Sequence, residues 1–264
     1  MKIQLALILL IGFLSACIAS KQEQYTQSLS SIESNIVSAT QEGESSLRVS
    51  ITEQEDNPST IVFVALHDRD ANVRMEAVRK LTDQTVLATV AQKDPNEEVR
   101  KVAVAQLTDP STLAKVAMND RDANVRGMAV RKLLDQSVIS LIALNDKSDE
   151  VRKVAVIQLT DELTLAAVAQ KDRDADVRRS ATRKVKDESV LSSIALNDSD
   201  RELRKLAVAL LSNQSVLSAV ALADRDADVR KSAVRKLTDT SVLSSIAMND
   251  SSEEVRKLAL MQLQ

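Results

Sequence analysis

Aromatic side chains are almost missing from this chain of 264 residues: no Trp, one Tyr and two Phe, 1% of the whole. Proteins that hold nucleic acid stack bases on aromatic platforms and meet phosphates with a basic surface. Here the platforms are lacking and the net charge is −3, so nucleic acid is not an expected partner. Three glycines and three prolines, scattered, cannot make a phosphate-cradling loop. One His and one Cys exclude a His/Cys metal cluster. A Ser-His-Asp triad would have to use His67, and no nucleophile turn surrounds it. Elsewhere the position of His67 is held by Lys93, Asn119 and Asn145, which marks a surface or junction residue. Asp-Arg-Asp segments such as 68–70 lack the glycine and closing Glu of a calcium loop. No enzyme chemistry, metal or cofactor is expected.

What the chain does have is a repeat. A hydrophobic-Arg pair falls at Val73-Arg74, Val99-Arg100, Val125-Arg126, Val151-Arg152, Val177-Arg178, Leu203-Arg204, Val229-Arg230 and Val255-Arg256, at a constant 26-residue step. A fixed period of that length is the mark of a stacked array. In each unit Val73, Ala77 and Leu81 or their equivalents share one face of a helix. Asp70, Asn96, Asp122, Ser148, Asp174, Asp200, Asp226 and Ser252 stand where an N-cap belongs. A second cap series runs Asp83, Asp109, Asp135, Asp161, Asp187, Asn213, Asp239, and Pro110 suits a first helical position. The stripe Leu87, Val90, Ala91 behind Asp83 predicts a short second helix, a turn or two, α or 3₁₀.

An Asp precedes each of these Arg residues by six positions: Asp68/Arg74, Asp94/Arg100, Asp120/Arg126, Asp146/Arg152, Asp172/Arg178, Asp198/Arg204, Asp224/Arg230 and Asp250/Arg256. The arrangement resembles the HEAT repeat family, and the short unit is similar to leucine-rich-repeat-variant solenoids and to the HEAT-like repeats of phycobilin lyases. The resemblance spans residues 42–264 and implies a hydrogen-bonded Asp/Arg ladder between stacked units. The expected fold is an all-α, right-handed α-solenoid of 26-residue two-helix repeats. One period before Val73-Arg74 stand Leu47-Arg48, so 42–66 reads as a degenerate first repeat. Eight units follow, the last truncated after its first helix.

Residues 1–16 have the form of a cleavable export signal: Lys2, then an apolar run to Phe13. Leu14-Ser15-Ala16-Cys17 resembles a bacterial lipobox, which implies that Cys17 carries the lipid, a diacylglycerol with palmitate-type chains. Ordinary cleavage after Ala19 and an uncleaved anchor are the alternatives. Ile18 in place of Asp implies, by the same resemblance, the outer membrane, with the solenoid in the periplasm or at the cell surface. Residues 17–41, rich in Ser, Gln, Thr and Glu, read as a tether.

A second period lies over the first. Odd units carry Arg-Lys pairs at Arg79-Lys80, Arg131-Lys132, Arg183-Lys184 and Arg235-Lys236. Even units place apolar residues at the positions of Glu76 and Arg79: Val102/Ala105, Val154/Ile157, Leu206/Ala209 and Leu258/Met261. A helix apolar on two sides is expected to be buried on both. The competing reading is an outward stripe that grips a partner, with Arg79, Arg131, Val154, Ile157, Arg183, Leu206 and Arg235 as contacts. The functional expectation is a non-catalytic, lipid-anchored scaffold for another envelope protein. One alternative is an enzyme or enzyme subunit resembling the phycobilin lyases. The other is a self-assembling surface lipoprotein that associates through its C-terminal repeat.

Overall fold

In a computed structural model the chain folds into α-helices joined by turns of three to five residues. Residues 41–264 are described, with side chains from Arg48 onward, and this span holds 17 helices and no strand. The signal segment 1–16, Cys17 and the tether up to residue 40 lie outside the described residues. Each 26-residue unit supplies two helices, for example Ala71–Lys80 and Gln84–Lys93.

The second helix is longer than its stripe suggests. It is a ten-residue α-helix in every described unit, including Pro58–His67, Gln136–Asn145, Glu188–Asn197 and Thr240–Asn249. In most units two ten-residue helices and two three-residue turns fill the whole repeat. The cause is local: no Gly or Pro interrupts these segments, and both ends are tied. Asp83 accepts the N–H groups of Thr85 and Val86, while the Asp94 N–H closes the far end on the Val90 carbonyl. The first helices begin the same way, with Asp70 accepting from Asn72 and Asp226 from Asp228 and Val229. Ser148 and Ser252 occupy the cap position without making a side-chain cap bond.

The described chain divides into two compact bodies, an N-terminal one ending at Val116 and a C-terminal one beginning at Ala117. In both, each second helix packs against the first helix that follows it, and first helices also lie side by side. Alanine recurs where the helices meet: Ala77 and Ala103 in the N-terminal body, Ala129, Ala155, Ala181, Ala207, Ala233 and Ala259 in the C-terminal one, all fully buried. A methyl side chain lets backbones approach closely, and a larger residue there would overpack the joint by about 1–3 kcal/mol. Around each alanine the Val and Leu columns fill the layer, as Val73, Val78 and Leu81 do in one unit and Val151, Val156 and Leu159 in another. Each such side chain contributes roughly 1.5–3 kcal/mol by leaving water.

The even-unit stripe is not core. Ile157 is 66% and Met261 69% exposed, while Val154, Leu206 and Leu258 are half-buried. The first helix buries its Ala-centred face against its neighbours, and its opposite side, where Ile157 and Met261 stand, is open to solvent.

Candidate functional site

The Asp and Arg residues six apart do not pair through their side chains. Arg74 donates from Nη1 to the Asp68 carbonyl at 2.9 Å. Its Nε and Nη2 reach forward into the next unit and donate to the Asp94 carboxylate at 2.8 and 2.9 Å. In the C-terminal body Arg126, Arg152, Arg178, Arg204 and Arg230 hold Asp146, Asp172, Asp198, Asp224 and Asp250 in the same fork, at 2.7–3.0 Å. Each Asp carboxylate also accepts the N–H two residues on, as Asp94 does from Asn96 and Asp172 from Asp174. One carboxylate thus folds its own turn and binds the preceding layer.

Arg152 is 2% exposed, and desolvating a guanidinium is costly unless its donors are all met. Here each of the three nitrogens donates, Nε and Nη2 to the Asp172 carboxylate and Nη1 to the Asp146 carbonyl. Burial pushes the Asp146 and Asp172 carboxyls upward, but the bonds from Arg126 and Arg152, the turn N–H groups and the nearby cations outweigh it, so both titrate below their ordinary value. For Asp250 the bond from Arg230 is the leading cause, and it too is lowered.

A second set of cross-links runs through the position after the odd-unit Arg. Lys184 Nζ donates to the carbonyls of Val156, Ile157 and Leu159 at 3.0, 2.7 and 2.6 Å, the open end of the preceding first helix. Lys236 does the same for Val208, Ala209 and Leu211 at 3.1, 2.6 and 2.5 Å. In the N-terminal body Lys80 reaches the Glu53 and Glu55 carbonyls. A cation suits the negative end of a helix. In even units Gln106 and Gln158 give the Val78 and Val130 carbonyls one bond each. Burial lowers the Lys184 pKa.

The neighbouring Arg residues have no such duty. Arg79, in the N-terminal body, pairs with Glu76 at 2.6 Å. In the C-terminal body Arg131, Arg183 and Arg235 are exposed, and no carboxylate among the described residues pairs with them. They alternate along one column with Ile157, Ala209 and Met261. The adjoining charges are mostly neutralised within their own helix: Lys153 with Glu150, Arg179 with Asp176, Lys205 with Glu202, Lys231 with Asp228.

Three of the predicted contacts share one depression. Arg183, Leu206 and Arg235 line an open cleft of about 540 Å³ with Arg179, Glu202, Lys205, Ala209, Ser232 and Lys236. Arg131, Val154 and Ile157 lie on the same helix face of that body but outside this cleft. His67 is exposed, its ring centroid 4.8 Å from that of Phe63. Among the described residues no three His, Cys, Asp or Glu side chains form a metal-holding group, and no helix is long and apolar enough to cross a membrane.

Sequence reasoning missed a column on the second helices. In the C-terminal body Met118, Leu144, Leu196, Leu222 and Met248 are all exposed, one or two repeat periods apart, interrupted by Gln170. Leu66 occupies the same register in the N-terminal body. The signal was present in the repeat alignment, since these residues follow the buried Ala143, Ala195 and Ala221 by one position and so point away from the core.

No family model matches the chain, and no curated protein matches it. Among solved structures, a leucine-rich repeat variant with a novel repetitive structural motif is similar, at a TM-score of 0.61 and 22% identity over 80% of this chain and 88% of that one. YibA of Escherichia coli gives a TM-score of 0.45 at 20% identity, over 85% and 97% of the two chains. A designed armadillo repeat protein gives 0.23 at 20%, over 82% and 97%. The first of these likenesses supports the architecture seen in the helices, an all-α repeat solenoid.

Proposed function

We propose that the chain is a non-catalytic scaffold, anchored by lipid at Cys17 to the outer membrane, that binds another envelope protein along its solenoid surface. The observation that carries this reading is the outward column of the C-terminal body, where Arg131, Arg183 and Arg235 stand without carboxylate partners between exposed Ile157 and Met261. Unpaired cations beside exposed apolar groups are what a partner with carboxylates and a hydrophobic anchor would cover. A solenoid offers such a surface at low cost, because each layer adds contact area without changing the rest. The test is a photo-crosslinking residue at Ile157 in intact cells. One dominant adduct with an envelope protein supports the reading; an unlabelled chain with Ile157 open to solvent-phase reagent counts against it.

A further inference from the structure

The cleft between the helices Ala175–Thr182, Arg201–Leu210 and Ala227–Val234 is more than part of a charged stripe. Its lining holds five cations, Arg179, Arg183, Lys205, Arg235 and Lys236, against one carboxylate, Glu202. Three cations are already engaged: Arg179 with Asp176 and Asp200, Lys205 with Glu202, and Lys236 with three helix carbonyls. Arg183 and Arg235 remain, each capping the C-terminal end of a flanking helix, with Leu206 and Ala209 on the helix between them. Ala209 helps to open the cleft, since its equivalents Ile157 and Met261 are bulky and project outward.

We infer that this cleft binds an acidic peptide segment that brings one carboxylate to Arg183, a second to Arg235, and an apolar side chain between them onto Leu206 and Ala209. The inference rests on the scaffold reading and names the chemistry of its partner. At interaxial distances of 8–10 Å the two flanking helices stand about 16–20 Å apart. An extended chain covers about 3.3 Å per residue, so its two carboxylates are about five residues apart, less what the Arg side chains reach inward. Charge complementarity sets the partner's sign, and the apolar floor separates a peptide from a simple anion.

The probe is a fluorescent peptide containing Glu-Ala-Leu-Leu-Ala-Glu, titrated into the full chain by anisotropy at about 0.05 M and about 0.5 M salt, where the screening length falls about threefold. Controls replace both Glu by Gln, or both Leu by Ala, and a sulfated polysaccharide serves as a bare polyanion. The expected result is at least about tenfold weaker binding for each control peptide and for the double variant Arg183→Glu/Arg235→Glu. Lys171→Glu/Lys186→Glu, which makes the same charge change outside the cleft, should bind normally. Ala209→Met, filling the cleft with a residue that the chain already carries at an equivalent position, should abolish binding while leaving the melting curve intact. Equal binding of the Ala control or a preference for the polysaccharide overturns the inference in favour of a non-specific anion patch. No binding of any peptide also overturns it. If the peptide fails while Ile157 still crosslinks to an envelope protein, only this inference falls; if both fail, the scaffold reading falls with it.

Discussion

The two helices of each unit share one core and present opposite surfaces. In the C-terminal body, five second helices carry three charged residues among them, Glu162, Lys171 and Glu188. Every first helix of that body carries at least three. The first-helix surface is salted with i,i+3 pairs and crossed by ladders; the second-helix surface is Ser, Ala and Asn around exposed Leu and Met. A soluble surface ordinarily mixes both charge signs and breaks up its apolar groups. The difference teaches that side-chain composition alone cannot tell which surface is interior here. The first helix buries Arg, and the second exposes Leu.

The largest effect expected from breaking this division is at the ladder. Arg152→Ala leaves the Asp172 carboxylate in a buried site without its fork and should cost about 3–5 kcal/mol in chemical denaturation. A melting curve that does not move would mean that the fork is idle. Acid attacks the same element by another route. The lowered pKa values of Asp146, Asp172 and Asp250 mean that the fold binds fewer protons than the unfolded chain. That stability is present above the ordinary carboxyl range and is lost as pH falls below about 4. Unfolding midpoints followed by circular dichroism from neutral pH to pH 2 should fall there, and less steeply in Asp172→Asn. Next comes the helix-end cradle: Lys184→Ala removes three bonds to carbonyls and should cost about 1–2 kcal/mol, whereas Lys184→Gln, the residue used at Gln158, should cost less than about 1. The smallest stability effect belongs to the other face. Leu196→Lys should shift stability by no more than about 0.5 kcal/mol while reducing binding of a hydrophobic dye. A cost of several kcal/mol would show that the second-helix column is interior.

Much of the architecture was legible because the repeat does the alignment by itself. Superposing units at the repeat period reveals invariant alanines, caps and the Asp/Arg spacing from Asp68 to Arg256. Helix length was less legible. The stripe Leu87, Val90, Ala91 reports only the buried turns, and the flanking turns are helical because their backbone bonds are completed by Asp83 and by the Asp94 N–H. Burial of the even-unit stripe was misjudged because a helical wheel gives direction and not neighbours: Ile157 points where no layer stands. The partner of each Arg was hidden for a related reason. Six residues of chain bring Arg74 to the Asp68 backbone, while the carboxylate it holds lies 20 residues ahead.

That forward reach makes the ladder a one-way thread, and the thread says how the chain could change length. Excising a single repeat between equivalent points would still give every ladder Arg before Arg256 an Asp ahead of it. Losing an even repeat would also set two Arg-Lys units side by side, for example bringing Arg131 next to Arg183, and losing an odd one would set two apolar units side by side. Excising two consecutive repeats would keep both the forward thread and the alternation of cation with apolar group. Natural length variants of this chain should therefore differ by pairs of units more often than by single ones, and the heritable module is the doublet.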